Sequence, residues 1–343
     1  MACMLTPFGW LYGKIINQRN SLYDKGSLKS TSLGVPTISV GNITVGGTGK
    51  TPLVALVAET LAEKGEKVCI ISRGYKRENE NKRILVSDSQ KILTDVKKAG
   101  DEPFELAGKL IGKAFVIADA NRVEAGIWAK NEFGITAFVL DDAFQHRKVK
   151  RDLDIITIDA TNPFGNGKTL PAGILREPLE NLKRADLFVI TRANLSTEIE
   201  SIKEQIKLFN QSATIIVSRN ISSKISEIND FTEFEASSQN VTSKRCLAFC
   251  ALGNPDNFFD QLIDESFDIV TTKRFSDHHF YSQKDIGVLE KKARKSKAEA
   301  LLTTSKDAVK IKDLKFELPC YIVESAMVFD DKKKLHKMIY AIL

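Results

Sequence analysis

The chain has 343 residues, 43% hydrophobic and 27% charged, with 20 glycines and 9 prolines; this excludes collagen-like, mucin-like and mainly disordered proteins and gives length for about two domains. Fifty Lys and Arg against 44 Asp and Glu leave a formal charge of +6, which suits an acidic ligand or an anionic membrane surface but selects neither. Five cysteines, at 3, 69, 246, 250 and 320, are too scattered for a disulfide framework and read as reduced core residues, Cys246 and Cys250 included.

No run approaches the length of a membrane span and the start lacks a secretory signal, so the bulk of the protein is expected not to be exported. Near the start Leu5, Phe8, Leu11, Tyr12, Ile15 and Ile16 recur at helical spacing, with Trp10 beside them and Lys14, Arg19, Lys25 and Lys29 on or after the helix. That pattern fits an interfacial amphipathic helix and a core-packed first helix equally well. A short β-branched run over 35–40 then predicts a strand, followed by a glycine-rich turn and a helix over 52–64. A second strand over 67–72 leads into the basic loop Arg73-Gly74-Tyr75-Lys76-Arg77, and buried strands are expected at 114–118, 137–140, 154–158 and 187–191 with helices between several of them. Strands alternating with helices predict a mainly parallel sheet covered on both faces.

One more strand is predicted over 214–218, and a polar Ser-, Asn- and Glu-rich stretch to about 245 reads as a linker. A second αβ pattern follows, with strands near 246–251, 268–271, 300–304 and 319–323. Lys291, Lys292, Arg294, Lys295 and Lys297 fall on one predicted helix and are read as a solvated face.

The chemistry is concentrated in Thr44-Val45-Gly46-Gly47-Thr48-Gly49-Lys50-Thr51, between a predicted strand and a predicted helix. That is the context of a loop for nucleotide phosphates: glycines let backbone N–H groups turn inward, the helix adds its positive end, Lys50 supplies a mobile charge, and the Thr51 hydroxyl suits Mg²⁺. The strict pattern fails at its first position, where Thr44 stands in place of Gly. A second carboxylate is expected at the end of a neighbouring strand, and four apolar residues ending in Asp141-Asp142 supply it. Phe144-Gln145-His146-Arg147-Lys148 adds a basic cluster in which His146 could orient the loop or touch a substrate. Arg73 and Arg176 follow predicted turns and could clamp an anionic substrate. Gly100-Asp101-Glu102-Pro103, taken alone, reads as a turn whose Asp caps a helix; in Ser276-Asp277-His278-His279 the adjacent histidines point opposite ways, which argues against a metal site. A basic stripe with interleaved aromatics is lacking, so no nucleic-acid partner is expected.

Gly41 to Pro52, Ser72-Arg73-Gly74-Tyr75, Gly100-Asp101-Glu102-Pro103, Asp141-Asp142-Ala143-Phe144-Gln145-His146, Pro171-Ala172-Gly173 with Arg176-Glu177-Pro178, and Phe275-Ser276-Asp277-His278 occur in this order. Together they resemble the tetraacyldisaccharide 4'-kinase family of lipid A biosynthesis, over about residues 5–325. The resemblance implies transfer of the ATP γ-phosphate to the 4'-hydroxyl of tetraacyldisaccharide 1-phosphate, forming lipid IVA at the cytoplasmic face of the bacterial inner membrane. It implies a P-loop NTPase-like three-layer α/β/α domain over 1–212 carrying a membrane-docking helix, a linker with short strands over 213–244, and a smaller α/β/α domain over 245–343. Lys50 and Thr51 would bind phosphate and Mg²⁺, Asp141 and Asp142 would form the acidic pair near the metal, and Asp101 would be the base for the sugar hydroxyl. His278 would orient Asp101, with His279 the weaker claimant, while Arg73, Tyr75, His146 and Arg176 become substrate candidates. Because the acceptor lives in a bilayer, Phe8, Trp10, Leu11 and Ile15 become the docking surface and Arg19 and Lys25 the contacts to lipid phosphates. Ala143, Ala251 and Ser305 depart from the residues usual in the family, and Ala143 could alter the turn after the acidic pair. A partition- or metallochaperone-type switch ATPase also has Gly-Gly-x-Gly-Lys-Thr, but its signature Lys before the first glycine is Val45 here.

Overall fold

A computed structural model describes residues 2–228, 241–277 and 279–343, and side chains from Leu5 onward. The chain forms two compact units, one comprising Met1–Arg219 with Phe329–Leu343 and the other Asn220–Val328.

The first unit opens with α1 (Ala2–Asp24) and then builds a sheet from β1 (Thr37–Asn42), β2 (Val68–Ser72), β3 (Ile84–Asp88), β4 (Ala114–Ala118), β5 (Ala137–Asp141), β6 (Leu153–Asp159), β7 (Leu187–Thr191) and the start of β8 (Thr214–Glu227). Their order is β8-β7-β6-β1-β5-β2-β4-β3. Every neighbouring pair is parallel except β3 with β4. Strands β1, β2, β4, β5, β6 and β7 are buried at every position; β2, β4, β5 and β7 accordingly read as near-continuous apolar runs, whereas β1 and β6 also bury polar residues such as Ser39, Asn42, Asp154 and Thr157. Covering helices include α2 (Lys50–Ala62), α3 (Val96–Ala99), α4 (Asp101–Lys109), α5 (Arg122–Phe133) and α6 (Ile199–Phe209). Helix α2 buries Leu53, Val54, Val57 and Leu61, and α5 starts where the Asn121 side chain accepts from the Glu124 N–H.

The second unit has the parallel order β10-β9-β11-β12, from β9 (Cys246–Cys250), β10 (Ile269–Arg274), β11 (Ala300–Thr304) and β12 (Cys320–Phe329). Its helices are α7 (Asp256–Asp264), α8 (Gln283–Lys295) and α9 (Ser305–Ile311), and apolar clusters flank the sheet. Cys246 and Cys250 sit in one cluster and Cys320 in the other; burial pushes all three thiols well above their ordinary value, as expected of core cysteines.

Two boundaries differ from those predicted. The strand expected over 214–218 continues as β8 to Glu227, and of the expected linker residues 229–240 lie outside the described part. The C-terminus, expected to belong to the second domain, returns to the first unit: Asp330 N–H donates to the Val217 carbonyl, α10 (Lys332–Tyr340) buries Leu335 and Ile339, and Lys64 of the first unit lies 4.3 Å from the centre of the Tyr340 ring. The apolar pair on α10 needs a covering surface, and the first unit supplies it.

Helix α1 inverts the usual amphipathic rule. Among its described side chains Gly9, Gly13 and Asn20 are the buried positions, whereas Phe8, Trp10, Leu11 and Ile15 are 62%, 61%, 52% and 57% exposed. The glycines let the helix lie against the segment 169–178, where the Thr169 hydroxyl donates to the Gly9 carbonyl at 2.6 Å. At 100° per residue Leu5, Phe8, Leu11 and Ile15 share one flank. Trp10 does not join them: it lies on the other flank with Lys14, whose ammonium is 3.9 Å from the ring centre. No helix among the described residues is long and apolar enough to cross a membrane.

Candidate functional site

The site stands at the carboxyl ends of the central parallel strands, where β1 hands over to α2 and its neighbour β5 ends in Asp141. In the loop after β1, Gly46 and Gly49 take φ of +108° and +77°, the left-handed side that a Cβ disfavours. Gly49 starts α2 with no side-chain cap, so the first turn keeps its N–H groups for a ligand. The loop is pinned from the opposite side of the sheet. The Thr48 hydroxyl meets that of Thr157 on β6 at 2.7 Å, Thr191 on β7 donates to the Thr48 carbonyl, and Arg192 donates to both the Gly47 carbonyl and Asp159. Thr44 is buried and Val45 is exposed, while Thr51 is half-buried in the first turn of α2.

Lys50 is buried, and its ammonium lies 3.6 Å from Asp142. The two acids are in contrasting states. Burial, helped by the charges of Glu102 and Asp142, pushes the Asp141 carboxyl up to about 7 even though the Ser72 hydroxyl donates to it at 2.7 Å. Burial works the same way on Asp142, but Lys50 and Arg176 overcome it and hold that carboxyl well below the usual carboxylate range. One nitrogen of Arg176 reaches both Asp142 oxygens at 2.8 Å. Asp142 also takes φ +47°, and the turn is held by the buried Arg122, which donates to the carbonyls of Asp141 at 2.8 Å and Asp142 at 3.3 Å. Ala143 is fully buried immediately after it, with its N–H 3.4 Å from the Val40 carbonyl.

Asp101 is buried as the first residue of α4 rather than as its cap; that position belongs to Gly100, at φ +89° with its would-be Cβ 3.2 Å from Gly74. This close approach brings the loop after β2 against the start of α4. Arg73 and Tyr75 on that loop are exposed, Arg73 3.7 Å from Glu80. His146 is half-buried with Nε2 enclosed and without a hydrogen bond; burial and then Arg122 and Arg151 push it down to about 3, so it is a neutral imidazole at physiological pH. Arg19, expected at lipid phosphates, donates to the Gln145 carbonyl, and Lys25 is exposed. His279 meets Asp285 at 3.4 Å and stacks on Phe275, whereas His278 lies outside the described residues.

The structure therefore brings together Lys50, Asp142 and Arg176 directly, and Asp141 with Ser72. Sequence reasoning passed over Glu102, Arg122 and Arg192. Glu102 was within reach as a second acid beside Asp101; Arg122 and Arg192 carry no local signal, because their partners, the Asp141 and Asp142 carbonyls for one and the Gly47 carbonyl and Asp159 carboxylate for the other, are distant in sequence.

Against known families, the model for Tetraacyldisaccharide-1-P 4'-kinase matches residues 1–343. The chain belongs to the tetraacyldisaccharide 4'-kinase family. Tetraacyldisaccharide 4'-kinases similar to it include that of Halothermothrix orenii, 39% identical over 88% of this chain and 80% of that protein, and that of Aquifex aeolicus, 35% identical over 98% of each. The solved structure of Aquifex aeolicus LpxK in complex with ATP superposes with a TM-score of 0.78 at 33% identity, covering 99% of both chains. As a tetraacyldisaccharide 4'-kinase, the chain is an ATP-dependent phosphotransferase of lipid A biosynthesis, and the switch-ATPase alternative falls away.

Proposed function

We propose that the residues around Lys50 carry the transfer of the ATP γ-phosphate to the 4'-hydroxyl of tetraacyldisaccharide 1-phosphate, releasing lipid IVA at the cytoplasmic face of the inner membrane. The observation that carries this reading is the ammonium of Lys50, at the head of the phosphate loop, 3.6 Å from Asp142 at the end of the adjacent strand. Residues 44–51 cradle the phosphates, and Lys50 turns from Asp142 to the β- and γ-oxygens. Asp142 stays ionised and keeps Lys50 and Arg176 aligned; Arg176 thereby acts through Asp142, with Arg73, Tyr75 and His146 left as the acceptor-side candidates.

Thr51, Asp141 and Asp142 fit a Mg²⁺ ion. No group of three or more His, Cys, Asp or Glu among the described residues forms a self-sufficient metal site, so such an ion would draw its remaining ligands from phosphate and water, the usual habit of Mg²⁺. Glu102 and Asp142 both repel a charge on Asp141, and a divalent cation bound there would offset that repulsion. Bound there, the ion would withdraw charge from the transferring phosphoryl group. Asp101 aligns the sugar hydroxyl and takes its proton late in transfer, with His278 as the partner that family resemblance implies.

The Leu5, Phe8, Leu11 and Ile15 flank of α1 supports peripheral docking to the bilayer, since an acylated acceptor must be met where it lies. The deciding assay offers γ-labelled ATP and tetraacyldisaccharide 1-phosphate in detergent to the full chain, Lys50→Ala and Asp101→Ala. Labelled lipid that falls sharply in both variants supports the assignment. Hydrolysis of ATP with no labelled lipid, from folded protein, overturns it.

A further inference from the structure

One buried acid has no part in the chemistry so far. Glu177 is 0% exposed, and each carboxylate oxygen takes two hydrogen bonds. Oε2 accepts from Asn20 of α1 at 2.8 Å and from Arg184 at 3.0 Å; Oε1 accepts from Arg184 at 3.0 Å and from the Gln145 amide at 3.0 Å. Arg184 lies in the 3₁₀ segment Leu179–Arg184 and covers the face of Phe144 at 4.2 Å. A carboxylate buried this completely is tolerable only because its acceptor sites are filled and an arginine neutralises it.

The Gln145 arm gives this arrangement a consequence. The same Gln145 nitrogen that meets Glu177 also donates to the Asn42 carbonyl at 2.9 Å, at the root of the phosphate loop. Both amide hydrogens are thus committed, so the carboxylate sets which way the amide faces. The next residues of the root are held by the segment containing Glu177. Arg176 N–H donates to the Ile43 carbonyl at 2.7 Å, Val45 N–H donates to the Ile174 carbonyl at 2.8 Å, and Thr44 bridges to Leu175. Arg176 in turn reaches Asp142. The entry to the loop is therefore held from two directions, by the Gln145 amide that Glu177 orients and by the backbone of residues 174–176 just before Glu177.

We propose that Glu177 is a positioning residue for phosphoryl transfer, acting through Gln145 on the Asn42 carbonyl to hold the phosphate loop in its ATP-binding form. The proposal rests on reading residues 44–51 as the ATP phosphate site. Replacing the carboxylate by an amide puts an N–H₂ among three donors, so at least one arm lets go; removing the Gln145 amide cuts only the arm that leads to the loop.

The test compares the full chain with Gln145→Ala, Glu177→Gln and the double variant, measuring kcat and the KM for ATP at saturating acceptor, with the melting temperature alongside. Gln145→Ala is expected to raise the KM for ATP roughly tenfold, the scale of one buried charge-assisted hydrogen bond, at a nearly unchanged melting temperature. The double variant is expected to show no higher KM than Gln145→Ala alone, because with the amide gone Glu177 has no remaining side-chain link to the Asn42 carbonyl. A KM within twofold of the parent in Gln145→Ala, or effects that multiply in the double variant, overturns the proposal. Should Glu177→Gln fail to fold, Gln145→Ala decides alone. A parent chain that binds no ATP would instead refute the phosphate-site reading and not this link.

Discussion

Asp141→Asn isolates the electrostatics of the acidic pair. The Asp141 carboxyl is raised from an ordinary 3.8 to about 7, first by burial and then by Glu102 and Asp142, so between those pH values the folded chain holds a proton that the unfolded chain has released. The native state binds more protons in that window, and stability must fall as pH rises through it. Its contribution is fully present below about pH 4 and gone above about pH 7. At 1.36 kcal/mol per pH unit the whole window amounts to about 4 kcal/mol if nothing relaxes, and about 2 kcal/mol is expected once water reaches the pair. Asparagine keeps the acceptor for Ser72 and cannot ionise, so the variant should match the parent below about pH 4 and exceed it increasingly up to pH 8. Urea unfolding with a chelator present, followed by tryptophan emission, reads this directly, since the two tryptophans, Trp10 and Trp128, both lie in the first unit. Parallel pH profiles for the parent and Asp141→Asn would refute the reasoning.

Lys50→Ala should lower turnover by about two to three orders of magnitude, the scale of removing one preorganised charge from a transferring phosphoryl group, and the labelled-lipid assay reads it. Asp101→Asn should depress kcat while leaving ATP affinity within about twofold, checked by nucleotide binding under the same conditions. Arg176→Ala strips Asp142 of its 2.8 Å partner and leaves the acid competing for Lys50, so the KM for ATP should rise by about fivefold to tenfold; a change confined to the acceptor KM would place Arg176 on the substrate instead. Charging the exposed flank of α1 with Leu11→Glu and Ile15→Glu should abolish co-sedimentation with anionic vesicles, with the melting temperature unmoved because neither side chain packs on the core.

Much of the candidate site was legible along the chain because its pattern is short-range. A loop proposed to hold phosphate needs glycines, a lysine and a threonine at fixed spacing between a strand and a helix, and an apolar run ending in Asp141-Asp142 announces a buried strand ending beside it. Alternation of such runs with helices was enough for a parallel sheet, since strands buried on both faces are predominantly apolar. The facing of α1 was not legible: one periodicity serves a core helix and an exposed one, and only the fit of Gly9 and Gly13 against residues 169–178 turned its apolar side outward. The partner of Arg176 was equally hidden, because Asp142 lies 34 residues away, as were the ties of Glu177 to Asn20 across 157 residues and the return of α10 to the first unit. Local spacing specifies which groups can do chemistry. Which of them are neutralised, buried or held in place depends on residues brought together only by folding, since burial and a neighbour's charge are properties of the packed interior.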